Sequence, residues 1–310
     1  MINQTKPEIW IIIRDFVRGI IPPRVRWLRR VITNREPKFI RKHGAIVFIA
    51  WHPILDQLSQ EIILGLDSDL NTKVPTTVYV GIHGNPGLSW FRRGLKIGIQ
   101  TEQLYDAEGV ALFGLKKGSW DFNIRWGYKM ADQIIDLSEN NRKFYEEDIP
   151  RNIRKKAEVV FGPHIFPSKK IPFRHGGTNL IFFGSVPENN RRAGIIRRMK
   201  EMPVRMVPDG TYGEELYALI DQSQGVLNVH YEDAVYTEAP RLLTAYLRGK
   251  VVFSEPLDNI FLPGVDYIAL GEGGDASEIF ENFSEKVTTL YSFSALLNEL
   301  CESYVDSRIS

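Results

Sequence analysis

The chain has no partner for its single cysteine, Cys301, which excludes a disulfide framework and a cysteine-ligated metal and predicts a reducing compartment. It has no run of about 18 apolar residues, the length a spanning helix needs. No apolar h-region with a small-residue cleavage site follows Met1, so the expected setting is cytoplasmic. Also missing is the G-x-G-x-x-G turn of a dinucleotide fold, which counts against nicotinamide chemistry. Internal repeats and low-complexity tracts are lacking too.

What remains is a globular composition: 310 residues, 43% hydrophobic and 25% charged, enough for two domains. The net charge of +1 hides an asymmetry. From Met1 to His43 there are eleven Lys and Arg against Glu8, Asp15 and Glu36, a net +8, so the other 267 residues carry −7. Ile9 to Ile13, Phe16, Val17, Ile20 and Ile21 lead into the arginines between Arg24 and Arg30. Three readings stand for this basic arm: contact with an anionic membrane surface, contact with nucleic-acid phosphates, or a terminal helix packed on the body with solvated arginines.

Short apolar runs alternate with helical patterns along the rest. The expected strands are Ala45–Trp51, Thr76–His83, Ile97–Thr101, Gln133–Leu137, Ala157–Gly162, Asn179–Gly184, Pro203–Val207, Gly225–Tyr231, Lys250–Ser254 and Tyr267–Leu270. "AIVFIA" and "NLIFFG" are apolar on both faces, as parallel strands covered by helices must be, so the class is α/β. "FPSKKIPFRHGG", Phe166–Gly177, reads as an exposed linker. The expected division is a basic arm over 1–43, a first domain over 44–172 and a second over 173–310, with the last helix able to return to the first.

Ligands of such sheets collect beyond the carboxyl ends of the strands. There the second half offers "FFGSVPENNRRAGIIRRM": a Gly184-Ser185 turn, Asn189 or Asn190 as a cap, and Arg191 and Arg192 opening a helix. Main-chain N–H groups at a helix start beside an arginine suit a phosphate, although a capped helix with solvated arginines gives the same pattern.

Further on, Phe183, Gly184, Ser185, Arg191, Arg192, Tyr212, Gly213, Leu227, Asn228, His230, Glu238, Arg241, Gly249, Ser254 and Glu255 follow in order a pattern of the form "FYGS…RR…YG…LNxH…E…R…G…VSE". "IGIQTEQL" is similar to a "YNLEQ" segment, and "ADQIIDLSENN" to "aDxxxDxSxxN". With these motifs the chain, over Ala45 to Glu255, resembles the GT-B glycosyltransferases, in particular the bacterial and phage group 1 branch related to spore-maturation glycosyltransferases.

That resemblance implies two Rossmann-like domains with parallel sheets facing across a cleft, and transfer of a sugar from a nucleotide diphosphate sugar to an acceptor hydroxyl. The donor would be held by Gly184, Ser185, Arg191, Arg192, Tyr212, Asn228, Glu238 and Arg241. Glu238, at a helix start, takes the place of the carboxylate that accepts from the ribose hydroxyls; an ionised carboxylate is acceptor-only and suits a diol. Where many relatives have an E-x₇-E motif, His230 stands in the first Glu position; it can equally be a hydrogen-bonded core histidine.

The first domain would bind the acceptor. Glu102, at the end of "KIGIQTE", is the leading candidate to take the hydroxyl proton, followed by His83, with His52 also just past a strand and a glycine-rich turn at Gly84–Gly87. Asp67–Asp69 has D-x-D spacing but reads as a polar loop, so no essential metal and no cofactor beyond the donor substrate is expected. Lys or Arg from the linker can assist departure of the diphosphate. The implied acceptor is a cell-surface saccharide or lipid-linked glycan at the membrane. The alternatives are a hydroxymethylated base in phage-type DNA, with the arm on its phosphates, and a non-catalytic nucleotide-sugar-binding protein.

Overall fold

The computed structural model describes residues 38–309 apart from 69, 71, 73, 85–91, 113–118, 150–156, 187–189 and 200–201. Most of the basic arm, the Asn85–Gly87 part of the glycine-rich turn, Asn189 and Asp69 therefore lie outside the described residues.

The chain is a mixed α/β protein with two parallel-rich sheets. The first contains β1 (Phe39–His43), β2 (Ile46–Ala50), β3 (Thr76–Val80), β4 (Leu95–Gln100), β5 (Gln133–Asp136) and β6 (Glu158–Phe161), in that spatial order. Helices α1 (Pro53–Leu64) and α2 (Ser119–Met130) follow β2 and β4. All five residues of β3, TTVYV, are buried, as a central strand covered on both faces requires. Strands β2 to β6 pair in parallel, while β1 pairs antiparallel to β2 across a two-residue turn in which Gly44 has φ 55°.

All ten strands expected from the sequence form, and β1 is an eleventh within the stretch assigned to the basic arm. Its sequence, FIRKH, has a charged, exposed middle, which suits a sheet edge that must not recruit further strands. Arg41 is spent in a bidentate pair with Asp56 of α1, at 2.9 and 2.7 Å.

The second sheet is parallel throughout, in the order β11 (Ile268–Ala269), β10 (Val251–Ser254), β9 (Gly225–Asn228), β7 (Leu180–Phe182), β8 (Val204–Met206). Helices α3 (Arg191–Arg198), α4 (Gly213–Asp221) and α5 (Ala239–Leu247) connect its strands. The order reverses between β7 and β9, the place where a doubly wound sheet leaves a crevice. Helices α6 (Ala276–Leu290) and α7 (Phe293–Ile309) close the chain, and α7 lies on the first sheet, with Phe293 6.1 Å from Phe48 and Cys301 Sγ 3.8 Å from Thr76 Oγ1.

The linker stretch is less free than expected. Its basic residues are exposed, but Phe166 is buried with its ring against Tyr246 and Phe283, because an aromatic side chain of that size gains more from the core than from solvent.

The two halves meet through a buried carboxyl. Glu61 of α1 accepts from Gln57 Nε2 at 2.9 Å, from Tyr217 of α4 at 3.1 Å and from Thr244 of α5 at 2.9 Å. The N–H of Gly213 donates to Gln57 at 3.3 Å alongside. Burial pushes the Glu61 carboxyl up to about 7, outweighing the three donors that favour the charged form. Asp136 is likewise pushed up to about 7 by burial.

A carboxyl raised in the folded state stabilises fully below its unfolded value and loses that contribution as pH rises through the folded value. Glu61 and Asp136 therefore each contribute a fall in stability between about pH 5 and pH 8, opposed below about pH 6.5 by buried His83, whose lowered value makes folding gain as pH rises. In Glu61→Gln the fall should shrink by on the order of 1–3 kcal/mol. Urea unfolding across that range reads it, and an unchanged slope would remove Glu61 from the cause.

Candidate functional site

A cavity of about 660 Å³ lies between the two sheets, at the carboxyl ends of their strands. Its walls include His52, Gln57, Glu61, Glu102 and Gln103 from the first half and Gly184, Ser185, Arg192, Tyr212, Glu238 and Arg241 from the second. Ile54, Leu55, Leu58 and Leu112 add an aliphatic stretch on the first-half side.

On the second half, the reversal between β7 and β9 brings one carboxylate against two guanidinia. Glu238 is the N-cap residue of α5 but makes no side-chain cap bond. Arg192 Nη2 donates to Glu238 Oε1 at 2.6 Å, and Arg241 Nη1 pairs with Oε2. Burial pushes the Glu238 carboxyl up, but Arg241 and Arg192 together hold it below its usual range, so it stays ionised. Burial lowers Arg241 to about 10, which leaves it charged at neutral pH.

Both guanidinia are fixed from behind. Arg192 donates to the carbonyls of Val229 at 2.8 Å and Ser185 at 3.2 Å; Arg241 donates to the carbonyl of Phe183 at 3.2 Å and to Asn228 Oδ1. Asn228 is in turn held by donating to Ser254 Oγ at 2.9 Å. The Phe182 ring lies 5.6 Å from Arg192 and 5.0 Å from Arg241. Asn190 caps α3 by accepting from the Arg192 N–H at 2.8 Å, as one of the two expected caps.

Several expected site residues stand behind the cavity rather than on it. Arg191 forms a bidentate pair with Glu255 and a contact with Asp233 at 3.1 Å. His230 Nε2 contacts the Pro256 carbonyl at 2.9 Å with its ring 4.3 Å from that of Tyr236, and burial lowers its pKa. Arg191, Asn228, His230 and His83 are not among the lining residues, whereas Gly184, Ser185, Arg192, Tyr212, Glu238, Arg241 and Glu102 are.

On the first half, Glu102 is part-exposed to the cavity, with Oε1 3.5 Å from His83 Nε2. Burial, with a smaller effect from His52, pulls His83 down to about 3, so its imidazole is neutral beside the carboxylate. His52 itself caps α1, accepting from the Ile54 N–H at 3.3 Å. The two loops meet where Gln103 Nε2 donates to the Thr237 carbonyl at 2.7 Å. Glu102 precedes one partner of that bond and Glu238 follows the other, and both line the same cavity.

The motif Asp136, Ser138, Asn141 supports the Glu102 loop. Asn141 accepts from the Leu104 N–H at 2.7 Å and donates to the Glu102 carbonyl at 2.9 Å and to Asp136 at 2.8 Å. Asp136 also accepts from the Ser138 N–H and the Tyr145 hydroxyl, at 3.0 and 2.8 Å. The sequence marked the motif without its task, and Glu61 had no sequence signal at all. Asp67 lies away from the cavity, accepting from the Ser168 hydroxyl, and no group of three His, Cys, Asp or Glu able to hold a metal occurs among the described residues. No helix among them is long and apolar enough to cross a membrane.

No family model matches the chain, and no curated protein matches it. Among solved structures it is similar to a chain described as "Crystal structure of GtfA/B complex", at 11% identity and a TM-score of 0.30. That similarity covers 87% of this chain and 60% of the other, so this chain spans well under two thirds of its length.

Asn141→Ala leaves a buried N–H and a carbonyl without their partner and should cost roughly 1–3 kcal/mol, whereas Tyr145→Phe, which removes one donor, should cost roughly 1 kcal/mol. Equal costs in urea unfolding would mean that the motif does not hold the Glu102 loop.

Proposed function

We propose that the chain is a two-domain GT-B glycosyltransferase that moves a sugar from a nucleoside diphosphate to an acceptor hydroxyl. What carries the reading is that one cavity between two α/β sheets receives a carboxylate from each side, Glu102 and Glu238, together with two fixed guanidinia. In this reading the second half binds the donor, and the cations of Arg192 and Arg241 offset the charge that grows on the departing diphosphate. Glu102 accepts the proton of the attacking hydroxyl, with His83 Nε2 3.5 Å behind its Oε1. The transferred sugar carries oxocarbenium-like charge as its bond to the diphosphate breaks, and the carboxylates on both sides favour that charge.

The acceptor in this proposal is a saccharide or lipid-linked glycan, with the part of the arm that precedes β1, residues 1–37, on an anionic membrane surface. Binding to vesicles containing anionic lipid, lost on removal of residues 1–37, is expected; selective binding to duplex DNA would favour a base acceptor instead.

The test is a mass-spectrometric screen of nucleotide sugars for slow donor hydrolysis, followed by calorimetry with the donor found. Glu102→Gln should lose transfer by about a hundredfold or more while keeping donor affinity within about threefold, the size expected for a general base. Arg192→Ala should weaken the nucleoside diphosphate far more than Arg191→Ala, because Arg191 is engaged with Glu255 behind the cavity. Turnover should survive EDTA. No hydrolysis and no binding of any nucleotide sugar would overturn the reading.

A further inference from the structure

The Glu238 carboxylate has the surroundings of a bound phosphate. Two guanidinia address its two oxygens from different elements, Arg192 from α3 and Arg241 from α5. Each is anchored to strand-end carbonyls and flanked by Phe182, so neither can follow Glu238 if that side chain turns away. Gly184 allows the close approach: its φ is 128°, and a Cβ there would lie 3.0 Å from Arg241 Nη2. The clasp holds two cations and one anion, a buried surplus of positive charge. Glu238 itself lines the cavity and keeps a side-chain exposure of 18%, so its way out is open, while the side chains of Arg192 and Arg241 are 7% and 8% exposed.

We propose that Glu238 is the built-in occupant of an oxyanion seat: its carboxylate fills the place between Arg192 and Arg241 that a phosphoryl group of the diphosphate takes when the Glu238 side chain turns into the cavity. The identification of the phosphoryl group rests on the reading of the cavity as a nucleoside diphosphate site. A guanidinium fork matches carboxylate and phosphate oxygens in the same geometry, so the exchange keeps the hydrogen-bond count while a more highly charged anion replaces a carboxylate. The carboxylate that leaves becomes free to accept from a diol, which couples arrival of the anion to recognition of the sugar or ribose hydroxyls. Glu238 therefore competes with the diphosphate before it contacts the hydroxyls, and removing it should tighten the binding of simple anions.

The experiment uses full-length protein and inorganic pyrophosphate. Glu238→Gln leaves two buried cations without their carboxylate, so it should melt at a lower temperature than wild type and regain stability as pyrophosphate is added. Its pyrophosphate affinity by calorimetry should exceed that of wild type by about tenfold or more. Glu238→Asp keeps the charge and withdraws it by one methylene, so it should fold normally and give a smaller gain. Adding Arg192→Gln to Glu238→Gln should abolish the rescue. If Glu238→Gln folds only with pyrophosphate present, the seat stands. If neither variant gains affinity, or Glu238→Gln stays unfolded with pyrophosphate, the proposal is overturned even where wild type binds nucleotide sugars. A gain in both variants with no nucleotide sugar bound by any form would keep the seat and discard the donor reading.

Discussion

A carboxyl that ought to be in water holds the two halves of this protein together. Glu61 sits on α1, the first helix of the first half, and its hydrogen-bond partners from Tyr217 and Thr244 belong to the second. The joint depends on the carboxyl remaining fully hydrogen-bonded, since an unpaired buried acid costs several kcal/mol. That requirement fixes α1 against α4 and α5. The N-terminus of α5 carries Glu238, and the chain before α1 carries His52 at the cavity wall, so the joint also decides what faces what across the cavity. A second bridge, Gln103 to the Thr237 carbonyl, ties the Glu102 loop to the residue before Glu238. The N–H of Ala107 adds a bond to the Val235 carbonyl at 3.2 Å beside this second bridge, while the Glu61 joint is buried and takes two donors from the second half, Tyr217 and Thr244.

Two different supports keep the cavity's charges in place. The guanidinia of the second half are held by the carbonyls of Phe183 and Val229, one residue past the ends of β7 and β9. The first-half carboxylate is held through its loop, by Asn141 and ultimately by Asp136. In the proposed oxyanion seat the cations stay fixed and the reorganisation falls on one side chain, Glu238, which suits an anion that arrives and leaves.

Much of the fold was legible because burial on both faces leaves a continuous apolar run, as in β3 and β7, and each of the ten expected segments became a strand, the part-exposed β6 and β8 included. Strand β1 escaped because an edge strand is selected for charge, and FIRKH has the composition of a basic arm. The cap at Asn190 could be read because capping is local. Glu61 could not: within "LSQEIIL" it is a glutamate in an amphipathic helix, and only packing of a segment more than 150 residues away buries it. Arg192, Glu238 and Arg241 were all named from the sequence as separate contacts to one ligand. Their mutual pairing depends on the order of β7 and β9, which no local pattern encodes. Arg191 and Arg192 are adjacent and alike in sequence, yet helix geometry points them to different partners, Glu255 and Glu238.

The histidine at position 230 bears on the same charge balance. In the E-x₇-E pattern of the family that the sequence resembles, a second carboxylate would stand there, with seven residues between it and Glu238. Here burial keeps His230 toward its neutral form, and its ring stands behind Tyr236 of the cavity wall, with Nε2 at the Pro256 carbonyl. A glutamate at 230 would add a second negative charge near Arg192 and Arg241 and cancel the clasp's surplus cation. With histidine the surplus remains, and a buried positive charge without a matching anion is stabilised by any oxyanion that can enter. The double grip on Glu238 is thus an arrangement in which the protein supplies one carboxylate to two arginines, Arg192 and Arg241.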